Sequence, residues 1–239
     1  MRSLSSPDFL YLWERGFGLH PLDQGLLVLG TGFPETPYES LADWPLGRRN
    51  TALVALRCAC FGPRLRSWIA CPDCGEKLEF EMDGRSFLDG ADAGTNEPGG
   101  NGAIVVNGRS YRLPTSRDLA RAAMEGDAVK AAVRLLEGCR VDGGEAATWA
   151  DEDVEEVGRH MALADPMAEI LIELRCPLCG NESSETLDVG SFFWTEIEAR
   201  AKRILLEVHT LASRYGWTEE DVLSLSEHRR AIYLEMVHG

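Results

Sequence analysis

The sequence lacks a long apolar run and a recognisable secretion leader. No stretch of about 18 consecutive apolar residues occurs, so hydropathy predicts no transmembrane helix. The first eight residues lack the apolar centre and the small-residue cleavage site of a signal peptide. Seven cysteines in a chain without such a leader are typical of a reducing compartment. We therefore expect a cytoplasmic protein with no membrane partner.

Basic residues are also scarce, with 24 Lys and Arg against 39 Asp and Glu and a formal net charge of −15. Phosphate backbones repel an acidic chain unless its basic residues cluster on one face. The densest basic groups are short and lie among carboxylates, which favours solvated helix faces. These groups are Arg48 with Arg49, Arg64 with Arg66, Arg200 with Lys202 and Arg203, and Arg229 with Arg230. Nucleic acid is therefore a disfavoured partner.

Catalytic signatures are absent as well. The sequence contains no G-x-S-x-G elbow, Walker loop, H-E-x-x-H motif or kinase signature. The five histidines are scattered, and His209 stands two positions from Glu207, a spacing at which helical side chains do not face each other. We interpret Cys58, Cys60 and Cys139 as small buried residues in preference to nucleophiles. The expectation is a protein that is not an enzyme and has no small-molecule substrate.

The sequence does contain a matched pair of cysteine turns. Residues 71–75 and 176–180 share the pattern C-P-x-C-G. A C-x-x-C turn lets two thiolates face one cation, and the Gly that follows permits a positive φ. Two turns with the same flanking residues predict a closed, tetrahedral four-sulfur site, which is a zinc geometry. The predicted ligands of one structural Zn²⁺ are Cys71, Cys74, Cys176 and Cys179.

The separation of the two turns is far longer than in ordinary zinc ribbons. Loop-closure entropy grows only logarithmically, so lengthening the loop from about 15 to about 100 residues costs about 1.7 kcal/mol. A structural zinc site contributes on the order of 10–16 kcal/mol. A redox pair, a disulfide and two coincidental turns stay open as alternatives. The redox alternative ranks low, because a thioredoxin-like C-x-x-C opens a helix and strand-like or polar residues follow both turns here.

Strand patterns surround the cysteine turns. Residues 65–70 lead into the first turn, and residues 77–82 alternate apolar with charged side chains after it. An apolar strand is predicted over 168–175, before the second turn. Between the turns, residues 104–113 predict a β-hairpin, because Asn107-Gly108 suits a type I′ turn.

Helical spacing accounts for most of the remaining chain. The segment from Pro21 to about Leu29 is open between helix and strand, whereas 34–45 and 83–102 are predicted loops. Ser6 is the expected N-cap of the first helix, with Pro7 at the first helical position. The predicted helices cover about 6–16, 48–60, 119–136 with a break near Gly126, 151–164, 191–215, a short segment from Thr218, and 226–237.

Aromatic residues gather near the C-terminus, where Trp194, Tyr215, Trp217 and Tyr233 lie on or beside predicted helices. Packing of the terminal helices is the favoured interpretation. A docking surface is the functional alternative, because aromatic and Arg side chains are enriched among interface anchors. The candidate partner-binding residues are Trp217, Arg229, Arg230 and Tyr233.

Several short motifs occur in a shared order. They are L-P-T-S-R-D-L at 113–119, both C-P-x-C-G turns, E-V-H-x-L-A-x-x-Y-G-W-x-E at 207–219, and L-x-L-S followed by R-R-x-x-Y-L within 223–234. From about Gly47 onward the chain resembles phage-tail-like proteins. It is similar to the T4-type baseplate hub assembly chaperones and to proteins encoded with bacterial contractile injection systems. The resemblance implies a cytoplasmic protein that assists baseplate or hub assembly, or forms a minor part of that assembly.

The combined prediction is an α+β protein with a discontinuous four-cysteine zinc ribbon, flanking helices and an inserted hairpin and helical module. The predicted units are an N-terminal helical segment 1–64, a ribbon from 65–83 and 168–189, an insert 84–167, and C-terminal helices 190–239. The expected function is non-catalytic docking onto baseplate or hub proteins. The alternative is a zinc-ribbon module that binds nucleic acid or acts in transcription.

Overall fold

The computed structural model describes residues 1–89, 103–142 and 149–238. Most of the predicted loop 83–102 therefore lies outside the described residues. The helices are α1 (Ser6–Gly16), α2 (Pro21–Gly32), α3 (Tyr38–Ala42), α4 (Leu46–Phe61), α5 (Arg85–Asp89), α6 (Ser116–Ala122), α7 (Ala128–Cys139), α8 (Asp151–Ala164), α9 (Val189–Tyr215), α10 (Glu219–Ser224) and α11 (Glu227–His238). The strands are β1 (Arg64–Ala70), β2 (Lys77–Asp83), β3 (Ile104–Val106), β4 (Arg109–Tyr111), β5 (Leu171–Arg175) and β6 (Glu182–Thr186).

The architecture is α+β, as predicted, and its strands form antiparallel hairpins. Strand β1 pairs with β2 from Arg64 opposite Asp83 to Ala70 opposite Lys77. Strands β3 and β4 flank the predicted type I′ turn, where Asn107 and Gly108 have φ of 51° and 74°. Strand β5 pairs with β6, ending with Arg175 opposite Glu182. The hairpins β1–β2 and β5–β6 each enclose one C-P-x-C-G turn.

The main hydrophobic core lies around helix α9, which packs against α1, α2, α4, α10 and α11. The predicted apolar stripe of this helix is confirmed, and its buried residues recur at helical spacing. The helix ends at Gly216, whose φ of 69° is the left-handed conformation that glycine adopts most readily. The α9 side chains with no exposed surface are Phe193, Ile197, Ala201, Ile204 and Leu211.

The chain between the hairpins β1–β2 and β5–β6 has a core of its own. Its hairpin β3–β4 and helices α7 and α8 enclose a small apolar cluster, and Trp149 packs on Tyr111 with 6.3 Å between ring centroids. This cluster is separate from the main core. The insert consequently has an apolar basis for folding around itself. Its buried residues are Val106, Tyr111, Leu136, Cys139, Val157 and Met161.

Polar contacts to the N-terminal half of helix α4 tie the insert to the main body at two points. After the hairpin β3–β4, the carbonyl of Pro114 accepts a hydrogen bond from the backbone N–H of Leu46 at 3.0 Å. On the exit side, the backbone N–H of Gly47 donates to Asp165 Oδ2 at 2.8 Å. The amide of Asn50 donates to the carbonyl of Met167 at 2.8 Å. We call these contacts the α4 clasp.

Several predicted boundaries need correction. The N-cap of α1 is Ser5, which forms a capping box with Asp8, and Ser6 lies inside the helix. The open segment from Pro21 is helical, because His20 caps it and Leu26 and Leu29 face the core. The predicted loop 34–45 contains α3, where the fully buried Leu41 draws the chain against the core.

Two further boundaries also differ. Helix α5 follows β2 directly, so the predicted loop 83–102 begins with a short helix. Strand β5 begins at Leu171, three residues later than the predicted 168, because the carbonyl of Ala168 accepts a hydrogen bond from Asn50 at the α4 clasp.

Candidate metal centre

The two cysteine turns have the same backbone structure. In the first, the N–H of Cys71 donates to the carbonyl of Glu76 at 2.8 Å, and the N–H of Gly75 donates to the carbonyl of Cys71 at 2.9 Å. In the second, the matching bonds run from Cys176 to Asn181 at 2.8 Å and from Gly180 to Cys176 at 3.0 Å. A knuckle of this form therefore stands at the end of each hairpin.

A glycine closes each knuckle with the same backbone conformation. Gly75 has a φ of 74° and Gly180 a φ of 76°. Other residues reach this left-handed region only with strain, which explains the Gly after each second cysteine. Identical local geometry at two sites that are remote in the chain gives two matching pairs of thiols.

The four knuckle sulfurs meet in one cluster. All four Sγ atoms lie within 4.8 Å of one another. Across the knuckles, Cys71 Sγ lies 3.7 Å from Cys179 Sγ, and Cys74 Sγ lies 3.6 Å from Cys176 Sγ. A regular tetrahedron with Zn–S bonds of about 2.3 Å has edges of about 3.8 Å. The spacing of the four sulfurs therefore fits a metal ion with four thiolate ligands in tetrahedral geometry.

Burial divides the four sulfurs into two kinds. Cys71 and Cys176 are buried, whereas Cys74 and Cys179 are exposed. The inner pair rests on a small apolar base formed by Leu78, with partly buried neighbours from both hairpins. This base brings the two hairpins together and shields one side of the cluster. The neighbours are Ile69 and Leu174.

The electrostatics of the cluster favour a cation. The backbone N–H of Cys74 donates to the Cys71 sulfur and, with other donors, lowers the pKa of Cys71 to about 7. Although the backbone N–H of Asn181 opposes the change, the neighbouring sulfurs of Cys74, Cys176 and Cys71 raise the pKa of Cys179 to about 12. Adjacent thiols therefore resist ionising together. A divalent cation reverses this balance by deprotonating the thiols that coordinate it.

The alternatives that the sequence left open fit this geometry less well. A disulfide has an S–S length of about 2.05 Å, far below the cross-knuckle distances, and all seven cysteines are free. Both knuckles lie at hairpin ends, whereas a thioredoxin-like pair lies at the N-terminus of a helix. Coincidental turns would have no reason to converge.

The other three cysteines lie outside the cluster. Burial raises the pKa of Cys58 and of Cys60 above the ordinary thiol value. Burial raises the pKa of Cys139, which has no exposed surface, to about 12. Raised pKa values keep these thiols protonated, in keeping with their interpretation as packed residues.

The candidate partner-binding residues divide between packing and surface. Trp217 stacks on Tyr215 with ring centroids 4.7 Å apart and meets Tyr233 edge-on at 4.9 Å. Trp217 and Tyr233 are partly buried and pack on the main core, whereas Arg229 is exposed.

Arg230, which was predicted to contact a partner, is buried inside the protein. Its side chain is only 2% exposed and therefore offers no surface for docking. Its Nε donates to Glu207 Oε2 at 3.2 Å, and its Nη2 donates to Ser6 Oγ at 2.7 Å. Arg230 thus joins α11 to α9 and α1. Sequence patterns give no signal for this contact, because Ser6 and Arg230 are 224 residues apart.

Among the described residues, no helix combines the length and the apolar character needed to cross a bilayer. Comparisons with protein-family models, curated proteins and solved structures give no match for this chain.

Proposed function

We propose that Cys71, Cys74, Cys176 and Cys179 bind one structural Zn²⁺ and complete a discontinuous zinc ribbon. The observation that carries this proposal is the convergence of four Sγ atoms within 4.8 Å. Four protein sulfurs fill a tetrahedral coordination sphere and leave no position for water or substrate. The ion therefore acts as a staple between two hairpins that are remote in sequence.

Metal analysis of the purified chain tests the zinc site directly. We expect about one Zn²⁺ per chain, retained through gel filtration in the presence of a weak chelator. Cys74→Ser removes a ligand and should abolish this retention, whereas Cys58→Ser, at a cysteine outside the cluster, should leave it unchanged. A wild-type chain that binds no Zn²⁺ when reduced and supplied with the metal would overturn the proposal.

We further propose a non-catalytic role as a docking protein that assists assembly of the baseplate or hub of a contractile injection apparatus in the cytoplasm. The resemblance of the C-terminal motifs supports the identity of the apparatus. A closed metal site supports a role without chemistry at the ion. A cavity of about 480 Å³ lies between α9 and α11. Its Arg200 and Glu227 side chains form an ion pair with each other, so these charges are already paired, which fits a role without catalysis.

Co-purification tests the assembly proposal. The full chain, tagged and expressed with the sheath, tube, spike and baseplate components of a contractile system encoded beside it, should retain a baseplate or hub protein. Arg229→Glu changes an exposed charge at the predicted docking surface and should weaken that retention. Lys130→Glu, an exposed charge on the insert, is the matched control. Failure to retain any component would remove this proposal and leave the zinc site intact.

One surface has an aromatic residue and a cation of the kind that the alternative, a nucleic-acid module, would use. Trp68 on the outer face of β1 is 60% exposed, and Lys77 Nζ lies 5.3 Å from the centre of its ring. Carboxylates neutralise the nearby cations, since Lys77 pairs with Glu79 at 2.7 Å. Because the chain is acidic and the basic side chains on this face are paired with carboxylates, we expect no retardation of DNA or RNA in a low-salt gel shift. Binding that weakens steeply with salt and is lost in Trp68→Ala would favour the alternative.

A further inference from the structure

Two sulfur contacts of the cluster cross between the knuckles, and each joins an exposed cysteine to a buried one. Cys179 Sγ lies 3.7 Å from Cys71 Sγ, and Cys74 Sγ lies 3.6 Å from Cys176 Sγ, within a cluster whose four sulfurs all lie within 4.8 Å of one another. Each of these contacts therefore joins a cysteine with exposed surface to a cysteine enclosed by its neighbours. A two-step oxidation needs this combination: an accessible thiolate that reacts first and a shielded thiolate that attacks it.

We propose that the zinc centre is a redox switch, in which a peroxide expels the ion and links the knuckles through the disulfides Cys71–Cys179 and Cys74–Cys176. The proposal rests on the zinc site proposed above and adds a regulation to it. The oxidised chain keeps its two hairpins joined, because each new bond crosses between the knuckles. Oxidation therefore replaces coordination by a shared metal ion with disulfide bonds as the link between the two hairpins.

The chemistry balances with hydrogen peroxide as the oxidant. The Cys179 thiolate attacks one peroxide oxygen, the O–O bond breaks, and with one proton a water leaves behind a sulfenic acid. The Cys71 thiolate then attacks the sulfur of that sulfenic acid, forming the S–S bond, and the departing hydroxide takes a second proton to give water. Two thiolates lose two electrons in total and one peroxide gains them. Cys74 and Cys176 consume a second peroxide in the same way, and Zn²⁺ leaves with its charge unchanged.

The geometry requires little movement for the cross-knuckle bonds. An S–S bond of about 2.05 Å needs each pair of sulfurs to approach by about 1.6 Å. Ile69, Leu78 and Leu174 lie at the base of the cluster, where the two hairpins meet, so the sulfurs of each pair are already adjacent when the first of them is oxidised. Cys58, Cys60 and Cys139 belong to no such pair among the described residues.

Tryptic peptides separate disulfides across the knuckles from disulfides within them. Four cysteines allow three pairings, and fragmentation of the joined peptide between its cysteines separates Cys71–Cys179 from the other cross-knuckle bond, Cys71–Cys176. Trypsin cleaves after Arg66, Lys77, Arg175 and Arg200, so residues 67–77 carry both cysteines of the first knuckle and residues 176–200 carry both of the second. A cross-knuckle disulfide joins these two peptides in a single mass. A disulfide within a knuckle leaves them as separate peptides, each lighter by two hydrogens.

The experiment treats the zinc-loaded full chain with hydrogen peroxide, follows the released Zn²⁺ with a chromogenic chelator, blocks remaining thiols and digests without reduction. We expect loss of the ion, the joined peptide 67–77 with 176–200, and return of zinc binding after a thiol reductant and Zn²⁺ are added. Separate peptides with internal disulfides would overturn the proposed pairing. A loaded chain that keeps its zinc and free thiols at peroxide concentrations that oxidise free glutathione would overturn the switch.

Two variants sharpen the test. Cys179→His keeps a four-ligand zinc set of three thiolates and one imidazole. It should form the Cys74–Cys176 bond alone. A Cys71–Cys74 bond, or a Cys71–Cys176 bond assigned by fragmentation of the joined peptide, would contradict the pairing. Cys58→Ala/Cys60→Ala should behave as the wild type does. A chain that never binds zinc fails the metal analysis described above, which separates failure of the site from failure of the switch.

Discussion

Gly47 allows the insert to close on the N-terminus of helix α4. A Cβ at this position would lie 1.6 Å from Asp165 Oδ1, so alanine must displace the carboxylate that accepts the Gly47 N–H. We expect Gly47→Ala to lower the free energy of unfolding by about 1–3 kcal/mol. Gly158→Ala on α8 meets open space and should raise it by about 0.4–1 kcal/mol. Urea denaturation measures both, and equal effects would argue against the clasp.

Asp165 at the same contact should give the clasp a pH dependence. Burial raises the pKa of Asp165, although the Gly47 N–H opposes the change. Because the pKa of Asp165 is higher in the folded state, its ionisation lowers the free energy of unfolding as the pH rises from the ordinary aspartate pKa through the folded-state pKa. Relative to the wild type, Asp165→Asn should therefore gain stability as the pH rises above about 4, the ordinary pKa of an aspartate. A constant difference in unfolding free energy over that range would contradict this assignment.

Asp8 provides the control for that pH series. Hydrogen bonding to Arg2 is the main cause that lowers the pKa of Asp8 to about 2. A lowered value means that the group's contribution is present above its ordinary pKa and is lost only in stronger acid. The stability difference between Asp8→Asn and the wild type should consequently stay nearly flat over the range in which the Asp165 difference changes.

Two adjacent arginines make contrasting predictions. Arg230 is enclosed and bonded to Glu207 and Ser6, whereas Arg229 is exposed. We expect Arg230→Ala to cost about 3 kcal/mol, because it removes the cation at Oε2 of the largely buried Glu207, while Arg203 at 3.2 Å and Arg200 at 3.9 Å pair with Oε1. Arg229→Ala should change the unfolding free energy by less than about 0.5 kcal/mol. Thermal or urea denaturation that fails to separate the two variants would refute the structural role of Arg230.

At the scale of single elements, the two knuckle hairpins owe their turns to glycine. Gly75 and Gly180 have positive φ and open space around them, so alanine there brings only conformational strain. That strain is about 1–2 kcal/mol. Since the strain falls on the knuckle, Gly75→Ala should weaken Zn²⁺ binding by about 5–30-fold in a chelator competition.

A matched control for the knuckle glycines is available on the α6–α7 connection. Gly126→Ala also meets open space but has no positive φ, and it should leave zinc affinity unchanged. Wild-type zinc affinity in Gly75→Ala, or an equal loss in Gly126→Ala, would show that the turn conformation does not position the thiols.

The sequence predicted these elements well where the determining interactions are local. Alternation and the C-P-x-C-G pattern predicted both strands of hairpin β1–β2 and the strand that enters the second turn, whereas β6 lies in a polar stretch for which no strand was predicted. The 3.6-residue spacing predicted α9 to within two residues at its start. Boundaries failed where a distant contact decides them. The pattern of residues 168–170 predicts strand, but Asn50, more than 100 residues earlier, binds the Ala168 carbonyl and delays β5. No local pattern contains that information.

The same division applies to the candidate site. Four ligands at matching turns can be predicted from one chain, and so can their glycines. The apolar base beneath them depends on how two hairpins meet, and the enclosure of Arg230 depends on Ser6 at the other end of the chain. Both are products of tertiary packing, which periodicity and spacing do not encode.

At the scale of the whole molecule, two separate cores predict a divided response to metal removal. The insert encloses its own apolar cluster, whereas β1–β2 and β5–β6 meet at a small base beneath the four sulfurs. Chelation of Zn²⁺ should therefore greatly increase amide hydrogen exchange in those two hairpins and leave protection in β4 and α7 nearly unchanged. Hydrogen exchange with mass spectrometry reports each segment. Uniform loss of protection would show that the insert depends on the ion.

The distance along the chain between the knuckles has a consequence for biosynthesis. Cys176 follows Cys74 by 102 residues. At about 5–20 residues per second, a ribosome needs roughly 5–20 s to travel from one to the other. During that interval the nascent polypeptide carries only two of the four cysteines of the proposed zinc site. The core of the insert is complete once Met161 has been made, shortly before Cys176. If the proposed site binds zinc, the ion is therefore captured late in the maturation of the chain.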